Sequence, residues 1–113
     1  MSTRWQVAAK LPDGRCGCIY VHCDGYPSAA LTTLQQHYTD PQKIDRLIAL
    51  GDCLSVASEI ENCDPFSTRP DEVWEEIKPT YGEDPKAVAD AHQHGDENYR
   101  YTWDGAQWAM EHL

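Results

Sequence analysis

"TRWQVAAKLPDGRCGCIYVH", residues 3–22, is the stretch on which the fold turns. Residues 3–11 alternate: Trp5, Val7, Ala9 and Leu11 fall on one side, and Arg4, Gln6, Ala8 and Lys10 on the other. A period of two marks a half-buried strand. Pro12, Asp13 and Gly14 follow. Proline is preset for the second position of a type I turn and glycine takes the left-handed residue after it, so the three form a hairpin loop with a bulge. Loop length sets the register. A three-residue loop pairs Leu11 with Arg15, Val7 with Ile19 and Trp5 with Val21, so apolar meets apolar. A two-residue loop at Asp13-Gly14 would set Trp5 opposite His22, and one residue of slip turns every side chain to the other face. Turn chemistry and pattern both select the longer loop. Cys16, Cys18, Tyr20 and His22 then share the face of Arg4, Gln6, Ala8 and Lys10, with Arg4 opposite His22.

Beyond this hairpin, Ser28 is placed to cap a helix over 28–38, where Leu31, Leu34 and Tyr38 recur at helical spacing. Asp40-Pro41 is a second start signal, a capping acid before a proline at the first helical position. Ile44, Leu47 and Ile48 form that helix's apolar stripe, and Gly51 is placed to end it. Residues 52–60 read as a loop or a short helical turn, and 62–71, with two prolines, as a loop. Residues 73–78 fit either a short helix or an edge strand. Asp84-Pro85 opens a further helix, expected to run to His94 and stop at Gly95. The chain closes on a second hairpin around Asp104-Gly105. A two-residue turn there sets Tyr99, Tyr101 and Trp103 on the face of Ala106, Trp108 and Met110. The expectation is a single α+β domain over residues 1–113. Its antiparallel sheet is built from the N-terminal and C-terminal β-hairpins and packs with two or three helices.

The chain carries a net charge of −10 over 113 residues. Residues 1–58 hold five acids and five bases, whereas residues 59–113 hold fourteen acids and four bases. The excess therefore lies in the second half. Such a field repels nucleic acid and favours a basic partner; it also serves solubility. No run of about 18 apolar residues occurs, so no membrane span is expected. The opening Met-Ser-Thr-Arg-Trp lacks the apolar segment of a signal peptide. Five cysteines without an export signal read as reduced thiols, and the expected location is the cytoplasm of a bacterial host.

"LPDGRCGCIYVHCDGYPSAALTTLQQHYTDPQKIDRLIALGD", residues 11–52, resembles the start of an uncharacterised family of small bacteriophage and mobile-element proteins. Its members show a strand, a D-G turn and an H-W-D-G-Y-like motif. A helix ending in H-Y follows, then a second helix ending in L-I-x-L-G-D. The motif here is His22-Cys23-Asp24-Gly25-Tyr26, with Cys23 where the family has tryptophan. "YRYTWDGAQW" is similar to the family's last hairpin. The family's basic Y-G-R-D-R-G-E-like segment has only "TYGEDPKA", residues 80–87, as its counterpart. The resemblance implies a phage or prophage origin and no particular reaction.

Four groupings carry candidate chemistry. Cys16, Cys18, His22 and Cys23 are zinc-ligand types, but alternation sends Cys23 to the opposite face and no second pair is evident beyond Cys53 and Cys63. No metal and no cofactor is expected from them. Cys23 between His22 and Asp24 suggests a nucleophile, yet neighbours along a strand point apart; the base would have to be His37, His92, His94 or His112. No catalytic residue is assigned. His22, Asp24 and Tyr20 can form a polar cluster with Arg4, whereas Asp24-Gly25-Tyr26 also reads as a turn into a helix. Glu72, Glu75, Glu76, Glu83 and Asp84 can imitate duplex phosphates towards a basic channel, or form a solvated face with a capping acid.

The leading functional expectation is a phage-type accessory protein that binds and inhibits a host factor. A nucleic-acid-handling defence complex is the preferred target, met as an anti-CRISPR protein meets one. The partner is then a host protein with a basic surface, without direct nucleic-acid or membrane binding. The alternatives are a small enzyme or ligand-binding domain using His22, Asp24 and Tyr20, and an interaction domain without a discrete site.

Overall fold

The computed structural model describes residues 3–113; Met1 and Ser2, on which part of the signal-segment reading rests, lie outside them. The chain runs β1 (Trp5–Lys10), β2 (Cys16–Val21), α1 (Ala30–His37), α2 (Pro41–Ala49), β3 (Cys53–Ser55) and β4 (Asp64–Pro65). It continues through α3 (Trp74–Ile77), β5 (Thr80–Gly82), α4 (Pro85–Ala91), β6 (Tyr99–Trp103) and β7 (Trp108–His112). Short 3-10 turns at Ile60–Asn62 and Phe66–Thr68 flank β4. Among the described residues the strands form one sheet in the order β4-β3-β2-β1-β6-β7, with β5 also paired to β2.

The first hairpin has the three-residue loop. Trp5 pairs with Val21 and Val7 with Ile19, and Leu11 N–H donates to the Arg15 carbonyl at 2.7 Å. The second hairpin keeps its expected faces but not its expected turn. Trp103 pairs with Trp108 and Tyr101 with Met110, so the loop is four residues long. The Asp104 carboxylate holds that longer loop by accepting N–H groups from Ala106 and Gln107. A slip of two residues preserves the side of the sheet each residue faces.

The sheet is mixed rather than wholly antiparallel. Each hairpin is antiparallel, but β1 meets β6 in parallel, Trp5 against Tyr99 through Ala9 against Trp103. β3 is also parallel to β2, with Val21 against Cys53. Residues 52–60, read from sequence as loop or helical turn, thus contain a strand. Three residues are too few for periodicity to reveal. Four α-helices stand where two or three were expected, because residues 73–78 resolve into the single turn of α3.

The two sheet faces bury different layers. Trp5, Val7, Ile19, Val21, Tyr101 and Trp103 pack with Leu34, Tyr38, Ile44, Leu47 and Ile48 of the α1–α2 side. Ala8, Cys16 and Cys18, on the other face, pack with Val88 and Ala89 of α4. Gln6 on that face is buried and satisfied: it donates to the Ala89 carbonyl at 2.9 Å and accepts from Arg100 Nε at 2.8 Å. Arg100 continues to Asp90 at 3.0 Å, so a polar chain ties α4 across β1 to β6.

Helix starts follow the capping logic at two of three sites. Asp40 accepts from Gln42 N–H and Asp84 from Ala87 N–H, each ahead of a proline. Ser28 does not cap α1. That helix begins on the turn before it, where Ala29 and Ala30 N–H groups donate to the Tyr26 carbonyl. α4 stops at Ala91, three residues earlier than expected. Its continuation is diverted by the buried Glu97, whose carboxylate accepts N–H groups from His94, Gly95 and Asp96.

Candidate functional site: an acidic cleft with a histidine floor

The site arises from a gap in the sheet. One edge of β2 is covered by β1 along its length; the other is shared by β5 at Cys16–Cys18 and β3 at Val21. Between them the Tyr20 N–H has no strand partner. It is taken instead by the carboxylate of Asp52, Oδ1 at 2.9 Å. A buried N–H left unpaired is costly, so this bond is as much part of the fold as a ladder bond.

Asp52 reaches that position because Gly51 precedes it. Gly51 has φ +78, and a Cβ there would lie 2.5 Å from the Ile77 carbonyl oxygen. The same carbonyl accepts the Asp52 N–H at 2.7 Å. The backbone therefore passes against α3 in a conformation that glycine permits and other residues do not.

Two histidines converge on the carboxylate. His92 Nε2 is 2.6 Å from Oδ1, and His94 Nε2 is 3.4 Å from Oδ2. The side chains of Asp52 and His92 are 2% and 8% exposed, whereas that of His94 is 41% exposed. His92 Nδ1 meets the Thr80 hydroxyl at 2.7 Å. A carboxylate oxygen only accepts, so the His92 Nε2–H donates to Asp52 and Thr80 completes the chain at the far nitrogen. The His94 ring stacks on Tyr20 with centroids 4.1 Å apart, and the Tyr20 hydroxyl shares a 3.0 Å hydrogen bond with His22 Nδ1. Burial pushes the Tyr20 phenol up to about 12; the Asp96 charge adds to this and Arg4 opposes it.

Of these groups, Tyr20, Asp52 and His94 line an open cleft of ≈ 200 Å³. Phe66, Glu72, Glu76 and Ile77 complete its lining. Beside it Val73 and Trp74 are 53% and 46% exposed. Among the described residues neither Glu72 nor Glu76 has an ion-pair partner, whereas Glu75 is held by Lys78 at 2.6 Å. The cleft is thus acidic, aromatic and un-neutralised.

The other expected candidates divide. Tyr20 and His22 are joined as expected, but Asp24 is not with them. β2 ends at Val21, and Asp24 sits at φ 65 beside a different recess lined by Trp5, Tyr26 and Thr33. No described residue donates a hydrogen bond to its carboxylate, so the turn there is not held as an Asp-capped one. Gly25 is a packing position: its N–H donates to the Thr3 carbonyl and its own carbonyl accepts from Tyr101 Oη at 2.6 Å. Tyr26 is exposed. Arg4 pairs with Asp96 at 3.0 Å. Asp84 caps α4, and Glu83 lines a separate recess with Cys16 and Trp103.

The core cysteines fall in two layers, and no metal-ligating group among the described residues includes a cysteine. Cys16 and Cys18 lie in the α4 layer, Cys53 in the α1–α2 layer, and Cys63 is bonded near Tyr38 and Ala57. Among the described residues, the grouping with metal-ligating geometry is Asp52, His92 and His94. From sequence, His92 and His94 stand out only as possible bases, and nothing singles out Asp52. The signals there are only the His-x-His spacing and an aspartate directly after a helix-ending glycine. Their convergence across 40 residues depends on topology.

The chain is thus an α+β domain with an acidic, histidine-floored cleft, and no helix among the described residues is long and apolar enough to cross a membrane. No protein-family model, curated protein or solved structure matches it.

Proposed function

We propose that this protein acts by binding a basic protein surface at the acidic cleft and its aromatic rim. The observation that carries the reading is the pair of carboxylates that line the cleft without an ion-pair partner among the described residues, Glu72 and Glu76, with the exposed Trp74 between them in sequence lining a separate recess with Ala49, Lys78 and Tyr81. A half-exposed tryptophan near unpaired charge suits the anchor positions of interfaces, where aromatic residues supply much of the energy and complementary charge speeds encounter. The excess of acids in residues 59–113 extends the same field. The preferred partner is a host complex that handles nucleic acid, and the role is that of a phage-type accessory protein occupying its basic channel, as an anti-CRISPR protein does. What supports this finer reading is the family resemblance of residues 11–52 together with the charge distribution.

The test is capture of basic proteins from a bacterial host lysate across a salt series, with wild type and Trp74→Ala side by side. Retention that weakens with salt and drops at least about tenfold in Trp74→Ala is expected, since anchor truncations commonly cost about 2 kcal/mol. Retention indifferent to both salt and the substitution counts against the reading.

A second reading, a small ligand-binding domain or enzyme, draws on the joined Tyr20–His22 pair and the Thr80–His92–Asp52 chain. It requires Asp24 no longer. His22→Ala would abolish activity without unfolding the chain; full function in that variant would remove His22 from any site.

A further inference from the structure

We propose that Asp52, His92 and His94 form a binding site for a divalent transition-metal ion, with zinc the ion its donors suit. Two imidazoles and one carboxylate are a recurrent donor set for zinc and related first-row ions, leaving a fourth position for water or another ligand. Here one ligand atom from each residue lies within 4.8 Å of the others. In a tetrahedron with metal–ligand bonds near 2.0–2.1 Å, ligand atoms stand roughly 3.3 Å apart. His94 Nε2 stands 3.4 Å from Asp52 Oδ2, which matches that spacing, while His92 Nε2 faces the other oxygen, Oδ1, so the two imidazoles approach different oxygens of one carboxylate. The His92–Asp52 contact, 2.6 Å, must open by about 0.7 Å as the ion replaces the bridging proton.

The surroundings are those of a prepared site. Metal-ligating histidines hold their second nitrogen in a hydrogen bond that fixes the ring, and Thr80 occupies that place on His92 at 2.7 Å. A hydroxyl both donates and accepts, so Thr80 serves His92 whether Nε2 carries a proton or a metal. Asp52 is oriented independently by the Tyr20 N–H. His94 is held by its stacking on Tyr20 and by Glu97, which grips the loop's N–H groups. The cleft opens at the exposed side of His94, where a fourth ligand can enter, and Glu72 and Glu76 make the approach favourable to a cation.

The inference does not depend on the docking reading: metal binding is read on the isolated chain, and partner binding on the Trp74 rim. The experiment is titration of the full, metal-free chain with Zn²⁺ by calorimetry and with Co²⁺ by visible absorption. Wild type is expected to bind one ion per chain, to show the absorption of four-coordinate cobalt, and to melt higher with Zn²⁺ present. Loss of an outer-shell partner alone typically costs about 10–100-fold in affinity, so removing a ligand should cost at least about tenfold. His94→Ala removes a partly exposed ligand and keeps the buried pair, and Asp52→Asn keeps the side-chain shape. Both are expected to lose the cobalt absorption and the zinc-dependent rise in melting temperature, while His37→Ala, on α1, keeps them. Absence of a saturable site in wild type, or affinity unchanged in either His94→Ala or Asp52→Asn, would overturn the proposal.

Discussion

Asp24 and Gly25 show how one dipeptide serves the backbone more than any ligand. Asp24 holds φ 65, where an L-residue is strained and aspartate is better tolerated than most. Asp24→Ala is expected to lower stability by about 1 kcal/mol, and Asp24→Gly to recover it, as read from denaturant midpoints. Equal loss in both variants would point instead to a role for the carboxylate. At Gly25 a Cβ would sit 2.6 Å from the Trp5 ring and 2.7 Å from the Thr3 carbonyl oxygen. Gly25→Ala should therefore cost roughly 1–3 kcal/mol through overpacking. The sequence here is compatible both with a turn and with a polar cluster that includes His22. Half of that cluster exists, because the Tyr20 hydroxyl reaches His22 Nδ1 just past the end of β2. Asp24 fails to join it because the strand stops at Val21, and strand length is the feature that alternation marks least well. Asp52 was invisible as a site residue for a different reason: its role comes from an unpaired N–H in a strand 32 residues earlier.

At the level of elements, local rules were legible wherever the chemistry is local. The Pro12-Asp13-Gly14 loop and the two Asp-Pro caps could be read directly, because each depends on residues within a few positions. Asp40→Ala and Asp84→Ala are each expected to lose about 1 kcal/mol, the ordinary cost of an N-cap. Ser28→Ala should change stability by no more than a few tenths, since its side chain caps nothing. A loss near 1 kcal/mol at Ser28 would mean that α1 is capped in solution. The parallel β1–β6 pairing was not legible. Two hairpins can meet with either polarity, and nothing in their own alternation states which. α4 illustrates the same limit. Gly95 looks like its stop signal, yet the helix ends at Ala91 because Glu97 draws the following N–H groups out of helical register.

For the molecule as a whole, burial of ionisable groups sets an upper pH limit. Burial pushes the Cys53 thiol from 9.0, and the Tyr101 phenol from 10.0, up to about 12, as it does Tyr20. The unfolded chain therefore releases these protons first as pH rises. Stability should be level below about pH 9 with respect to these groups and fall between about 9 and 12. A lower urea midpoint at about pH 11 than at about pH 8 is expected; equal midpoints would show that these groups are not held neutral by the fold. The charge asymmetry, apparent from composition alone, acquires a location at this scale. Of the five candidate acids, Glu72 and Glu76 reach the cleft, Glu75 is paired, Glu83 lines a separate recess and Asp84 caps a helix. Their identical charges gave no means of separating them until the fold placed them.

The most direct test of the cleft as the functional surface is the Glu72→Gln/Glu76→Gln double variant in the salt-series capture. The substitutions keep size and remove both charges from exposed positions. The expected result is a basic host protein retained by wild type at low salt, identified by mass spectrometry, and retained about tenfold less by the variant, with a shallower salt dependence. Retention of the same protein at the same strength and with the same salt slope by both chains would contradict the docking role of this cleft.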